Sequence, residues 1–208
     1  MSFLSSFKIQ IKSELPGSTA HEVMSARPVG GLKIKRYSEV EIRESSVLIL
    51  FYQEAGIWKI PLIQRPTYDG AHGGQVSFPG GRREEADAHG VETALREAEE
   101  EIGINRNDVE VIGELTPLVI PVSGHRVQPV VGLHRDIPNF IPEEREVEEV
   151  FSIHVNDLLN DEFVKHKQYD IRGVSLHTPF FDIQNKFIWG ATAMMLNELK
   201  VILKKVYN

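Results

Sequence analysis

The chain has 208 residues, 41% hydrophobic and 25% charged, with a net charge of −7 and no cysteine. Those values fit one ordinary globular domain, exclude disulfides and thiolate metal sites, and speak against general binding to nucleic acid backbones, which calls for a basic face. No apolar run approaches the eighteen or so residues of a membrane span, and Lys8, Lys12 and Glu14 interrupt the N-terminus where a secretory signal needs an apolar core, so the expected location is cytoplasmic.

Residues 1–30 read as an N-terminal helical extension, helical to about residue 26 and broken around Pro28, Gly30 and Gly31. "SSVLILFYQ" (45–53) is a β-rich apolar run, and with "WKIPLIQR" after the Gly56 turn it predicts a hairpin. "GGQVSF" (73–78) predicts a short extended piece closed by a turn at Pro79-Gly80-Gly81. Val91, Ala94, Leu95, Ala98 and Ile102 then recur at helical spacing, and Gly103 stands where a C-cap belongs.

"DVEVIGEL" and "HRVQPVVGLH" predict two strands, and the acidic "PEEREVEEVF" leads through a loop into a short helix ending near Leu159. "KQYDI" and "GVSLHTPFF" predict two more strands before a closing amphipathic helix, "GATAMMLNELKVILKKV". Trp189 is expected to pack that helix onto the sheet, with Met194 and Met195 in the core. His72 and His125 lack partners at ligand spacing and read as loop residues. No repeat or linker divides residues 1–208, so a single domain is expected. Strands in hairpin-like order with helices between and after them predict an α+β fold, a mixed β-sheet between helices, rather than a doubly wound parallel sheet.

The helix around "REAEEEIG" (96–103) raises a question of charge. Glu97, Glu100 and Glu101 share one stripe, and the apolar positions centre roughly 130° away. Like charges at these spacings cost roughly 0.2–0.5 kcal/mol per pair. A wet acidic face, partly neutralised by Arg96 through Glu92 and Glu100, is the plain reading. The glycines just upstream suggest another. A backbone without side chains can come close to phosphate oxygens, and three carboxylates on one stripe offer the hard oxygen ligands that magnesium prefers. Together they describe a site for metal-assisted attack on phosphorus.

"GGRREEADAHGVETALREAEEEIGI" resembles the box of the Nudix hydrolases, G-x5-E-x7-R-E-U-x-E-E-x-G-U with U aliphatic. Arg96, Glu97, Ala98, Glu100, Glu101, Gly103 and Ile104 match its second half. In the first half Gly81 stands fifteen positions before Arg96 instead of fourteen, and the earlier acid is Asp87, one step out of place. One extra loop residue explains both, a lengthened form common in the branch acting on coenzyme A. That branch's upstream signature is matched by Leu62, Arg65, Gly74, Phe78, Pro79, Gly80 and Gly81, whereas Pro66 and Gly70 depart from it. "EVEEVF" and "IWGATA" are also similar to this branch.

The resemblance implies a Nudix-like α/β/α sandwich and a pyrophosphohydrolase using Mg2+ or Mn2+. Glu97, Glu100, Glu101 and the Gly81 carbonyl would hold the metal, and Arg96 would orient the glutamates. Glu146 would be a further ligand or base, with Glu97 the first choice of base. Arg65, Gln75, Phe78, Gly80 and Gly81 would meet the substrate. The implied substrate is coenzyme A or an acyl derivative, split to adenosine 3′,5′-bisphosphate and (acyl-)phosphopantetheine. ADP-ribose, another nucleoside diphosphate-X or a nucleoside triphosphate stay open as substrates. So does a non-catalytic nucleotide-sensing module of the same fold. The implied partner is a small nucleotide, not nucleic acid or membrane. Oligomeric state is open, a homodimer being one option.

Overall fold

In a computed structural model of the chain, residues 3–31, 42–67, 73–120, 123–171 and 173–207 are described. The first half runs α1 (Phe3–Gln10), α2 (Ser18–Val23), β1 (Arg27–Pro28), β2 (Arg43–Glu54), β3 (Ile57–Gln64), β4 (Val76–Ser77), β5 (Gly80–Arg82) and α3 (Gly90–Ile102). After it come β6 (Val109–Glu114), β7 (Leu118–Ile120), β8 (His125–His134), β9 (Glu149–His154), α4 (Val155–Leu159), β10 (Val164–Ile171), β11 (Val174–Ile183), β12 (Lys186–Ile188) and α5 (Gly190–Tyr207).

β2 is the centre of the larger sheet, parallel to β8 and antiparallel to β3 and β5. Its run Val47 to Tyr52 is apolar throughout because both its faces are covered, which a half-solvated strand would not be. Leu48 and Leu50 meet Ala94, Ala98 and Ile102 of α3 on one face. Ile49 and Phe51 turn the other way, toward Phe7 of α1 and the apolar side of α5. The sheet therefore lies between helices, as the sequence predicts. β6 and β7 flank β8, β9 and β4 flank β3, and a second sheet is built from β1, β10, β11 and β12.

Several elements differ from the sequence reading. The N-terminal extension is two helices, because Pro16 and Gly17 break the pattern that its apolar spacing suggested. Both pack on α5. Nε2 of buried His21 lies 2.8 Å from buried Glu198, and Asn197 Nδ2 donates to the Ala20 carbonyl. Gly80-Gly81 is not a free turn but the strand β5, paired with Ser45 to Val47. The acidic stretch ends in β9, which pairs with all of Lys59 to Gln64. His125 opens β8 rather than sitting in a loop, and meets Ser45 Oγ at 2.6 Å. Trp189 does not lie under the last helix; its ring joins Phe187 and Tyr169 on the second sheet. Met195 is core and Met194 packs against it, as expected. Among the described residues no helix is long and apolar enough to cross a membrane.

Gly103 closes α3 with φ 69°, its N–H donating to the Glu99 carbonyl. An added Cβ would sit 2.8 Å from Cβ of Ile141. Gly103→Ala is therefore expected to cost about 1–2 kcal/mol from the left-handed backbone, and more if Ile141 cannot yield. Urea denaturation measures it.

Candidate active site

Small residues on α3 decide the site's geometry. Ala94 and Ala98, both fully buried, let the helix approach β2 and β5. The Glu97 carboxylate then lies directly on Gly81, where an added Cβ would come within 2.5 Å of its carbon and Oε2. Any side chain there would have to push the Glu97 carboxylate away. One turn further, Glu101 is 1% exposed, contrary to a wet acidic face. It accepts from the Gly80 N–H at 2.7 Å and from Arg65 Nη2 at 3.0 Å. Arg65 also donates to the Gly80 carbonyl and, through Nε, to Ser77 Oγ. The arginine expected to meet substrate is thus engaged with the protein's own carboxylate and backbone.

Arg96 is the hub of the other half. It donates through Nη1 to Glu97 at 3.0 Å and to Glu100 at 2.9 Å. Its remaining nitrogens hold both Asp87 oxygens and the Arg82 carbonyl. Glu92, expected as a partner of Arg96, instead accepts from the Ala88 N–H at the start of α3. Asp87 is 6% exposed and also accepts from the Thr93 hydroxyl and the Glu84 N–H. The Arg96 guanidinium holds the Asp87 carboxyl well below the usual range. The sequence marked this aspartate only as an acid one step out of register. Its role as the buried anchor of Arg96 follows from the lengthened loop, which Arg83 folds back by donating to the Asp87 and Ala88 carbonyls.

Charge is crowded at the centre. Burial pushes Glu97 upward, against the pull of Arg96, with Glu100 and Glu146 adding repulsion. Burial also pushes Glu101 up to about 7, and Glu97 and Glu146 raise it further while Arg65 and the Gly80 N–H oppose. Glu146 thus acts on both helix glutamates from the segment before β9. That segment is tied to the helix end, since Glu143 N–H donates to the Glu101 carbonyl.

Among the described residues no three acidic or imidazole side chains converge closely enough to cage an ion. Arg96 and Arg65 hold the carboxylates as partners. The donor set nevertheless fits a divalent cation: carboxylate oxygens, a side-chain-free cradle at Gly81, and like charges incompletely compensated by the arginines. A melting-temperature series in Mg2+ and Mn2+ follows from this. With its carboxyl raised above 4.5, Glu101 contributes stability that is complete at low pH and lost as pH rises through about 7. A cation that takes the proton's place is expected to raise the melting temperature more at pH 8 than at pH 6.

The other expected residues divide. Gln75 is half-buried, and its carbonyl accepts from the Arg65 N–H. Phe78 is 0% exposed within the core, so it cannot touch substrate and instead anchors the turn into β5. Gly70 and His72 lie outside the described residues. A hollow of about 490 Å³ opens beside β5, lined by the arginines Arg43, Arg82 and Arg83 and by the acids Glu44, Glu84, Glu85 and Asp87.

Residues 42–171 match the NUDIX domain family. The chain is 40% identical over 132 residues to the uncharacterized Nudix hydrolase NudL of Pectobacterium atrosepticum, covering 62% of this chain and 66% of that protein. It is 34% identical over 198 residues to the mitochondrial Nudix hydrolase 15 of Arabidopsis thaliana, covering 91% and 68%. The fold is similar to that of RenU, a Nudix hydrolase from M. smegmatis, with a TM-score of 0.53 and 13% identity over 86% of this chain and 95% of that one. The match of the domain, the curated relatives and the fold agree, and the chain belongs to the Nudix hydrolase family.

Proposed function

We propose that this Nudix hydrolase cleaves the P–O–P linkage of coenzyme A or acyl-coenzyme A, with Mg2+ or Mn2+, giving adenosine 3′,5′-bisphosphate and (acyl-)phosphopantetheine. The observation that carries the hydrolytic part is the Glu97 carboxylate seated on Gly81, beside buried Glu101 and within the field of Glu146. Glu97, Glu100, Glu101, Glu146 and the Gly81 carbonyl would hold the cation. When bound, it supplies Lewis-acid polarisation of the phosphoryl oxygens and the attacking water.

The chain's own residues do the rest. Glu97 takes the proton from water, and its burial favours that uptake. Arg96 keeps the Glu97 and Glu100 carboxylates aimed, and Asp87 keeps Arg96 in place. Arg65 and the Gly80 N–H hold Glu101. The cytoplasmic location belongs to this reading.

The coenzyme A part rests on the matching residues from Leu62 to Gly81. One observation favours a second substrate, ADP-ribose or another nucleoside diphosphate-X. Arg65, the arginine retained from the signature, is already engaged with Glu101 and Gly80. Purified protein incubated with metal and coenzyme A, acetyl-coenzyme A, ADP-ribose, dinucleoside polyphosphates or nucleoside triphosphates separates the two. Adenosine 3′,5′-bisphosphate released fastest from coenzyme A supports the reading, and AMP released faster from ADP-ribose replaces its substrate. Metal bound without turnover on any of them favours the nucleotide-sensing module.

A further inference from the structure

The second sheet bears an aromatic face that the hydrolytic residues do not use. Tyr169, Phe180, Phe187 and Trp189 form one cluster. Phe180 and Phe187 have ring centroids 4.7 Å apart, Phe187 stacks on Trp189 at 5.8 Å, and Tyr169 meets Trp189 edge-on at 5.4 Å. Lys167 Nζ lies 3.3 Å above the Phe187 ring centroid. None of the four rings is fully buried, and Tyr169 is 37% exposed.

The core does not need these rings. Strand alternation sends Phe181, Ile183 and Ile188 to the opposite face, where all three are 0% exposed. A polar set would serve a merely solvated face, and a cluster of partly exposed rings such as this one offers an apolar surface to a ligand.

Its position links it to the proposed active site. β12 lies against β4, and Thr192 Oγ1, three residues after Trp189, donates to the Val76 carbonyl at 3.0 Å. The next residue, Ser77, accepts from Arg65, which reaches Gly80 and Glu101. Both sheets contribute to the core that α5 shares, and they meet where β4 lies against β12. Ser77 on β4 and Thr192 after β12 thus place the ring-bearing sheet beside the strand that Arg65 binds.

We propose that Trp189, backed by Phe187 and with Lys167 over the Phe187 ring, is the subsite that stacks the heteroaromatic base of the nucleotide substrate. This rests on the nucleotide-substrate reading above. Flat aromatic rings suit any base, because every base presents a π-face. The lysine supplies the positive charge that a phosphorylated ribose next to that base requires.

The chain has two tryptophans, and the other, Trp58, packs against Phe3 on α1. In a Trp58→Phe background, emission therefore reports on Trp189 alone. Titration with adenosine 5′-monophosphate in EDTA is expected to quench it saturably, and ribose 5-phosphate, which has no base, to leave it unchanged. Phe187→Leu, which keeps an apolar side chain there, is expected to raise KM for the hydrolysed nucleotide about tenfold or more, with kcat within twofold. Unchanged emission, equal quenching by ribose 5-phosphate, or an unchanged KM overturns the subsite. A change of oligomer size in Phe187→Leu with KM intact also overturns it, in favour of a second copy of the chain. Because the titration needs no turnover, quenching without hydrolysis of any substrate would leave this subsite standing while the hydrolytic reading fails.

Discussion

Glu97→Gln is expected to lower kcat about 10²- to 10⁴-fold while leaving the fold intact. The amide keeps the shape of the carboxylate over Gly81, and its oxygen still accepts from Arg96. It cannot take a proton from water, and it is a poorer ligand for a hard cation. It also removes one negative charge from a cluster in which Glu97 and Glu146 raise Glu101. The metal-free variant should therefore melt no lower than the parent, and its gain in melting temperature on adding Mn2+ should shrink. That pairing of lost rate with kept stability separates a functional carboxylate from a structural one. Activity within tenfold of the parent in steady-state assays would remove Glu97 from the site.

Asp87→Ala should fail in the opposite way. Asp87 is nearly buried and accepts from two Arg96 nitrogens, the Thr93 hydroxyl and the Glu84 N–H. Removing one partner of a buried pair strands the other and costs about 3–5 kcal/mol. In a chain of this length each kcal/mol lowers the melting temperature by roughly 2–4 °C, so a drop on the order of 10 °C is expected. Arg96 would lose its anchor while keeping Glu97 and Glu100, so the two carboxylates lose their fixed aim. Calorimetry and kinetics on the same preparation should show both losses, whereas Asp87→Asn, which keeps part of the bonding, should lose less stability. A melting temperature within 2 °C or so of the parent for Asp87→Ala would contradict the anchoring role.

How much of this was legible beforehand follows from what each signal can carry. The apolar run of β2, the helical spacing of α3 and its Gly103 cap are local signals, and the structure places those elements where the sequence predicts them. β9 was hidden because the charges of "EEREVEE" mask the alternation of Phe151 and Ile153, the two residues that reach the core. The helical wheel put Glu97, Glu100 and Glu101 on one stripe, but a wheel does not say what lies opposite. β5 and Arg65 cover Glu101, whereas the Glu100 side chain stays 58% exposed. Asp87 was visible as an acid out of step, but its partner Arg96 is nine residues away and comes close only when Arg83 folds the loop. Phe78 and Trp189 changed places in the same manner. The first was expected near substrate and is core, and the second was expected under α5 and lies on a sheet face. A single sequence marks such residues as aromatic and leaves their neighbours to the fold.

The carboxylates of Glu97 and its neighbours beside Gly81 are expected to hold a divalent cation. Electron paramagnetic resonance of free Mn2+, titrated into metal-free protein, counts bound ions without reference to any substrate. At least one Mn2+ per chain is expected in the parent, with that binding lost in Glu97→Gln/Glu100→Gln. Equal Mn2+ binding by parent and double variant, both folded, would show that the cation sits elsewhere.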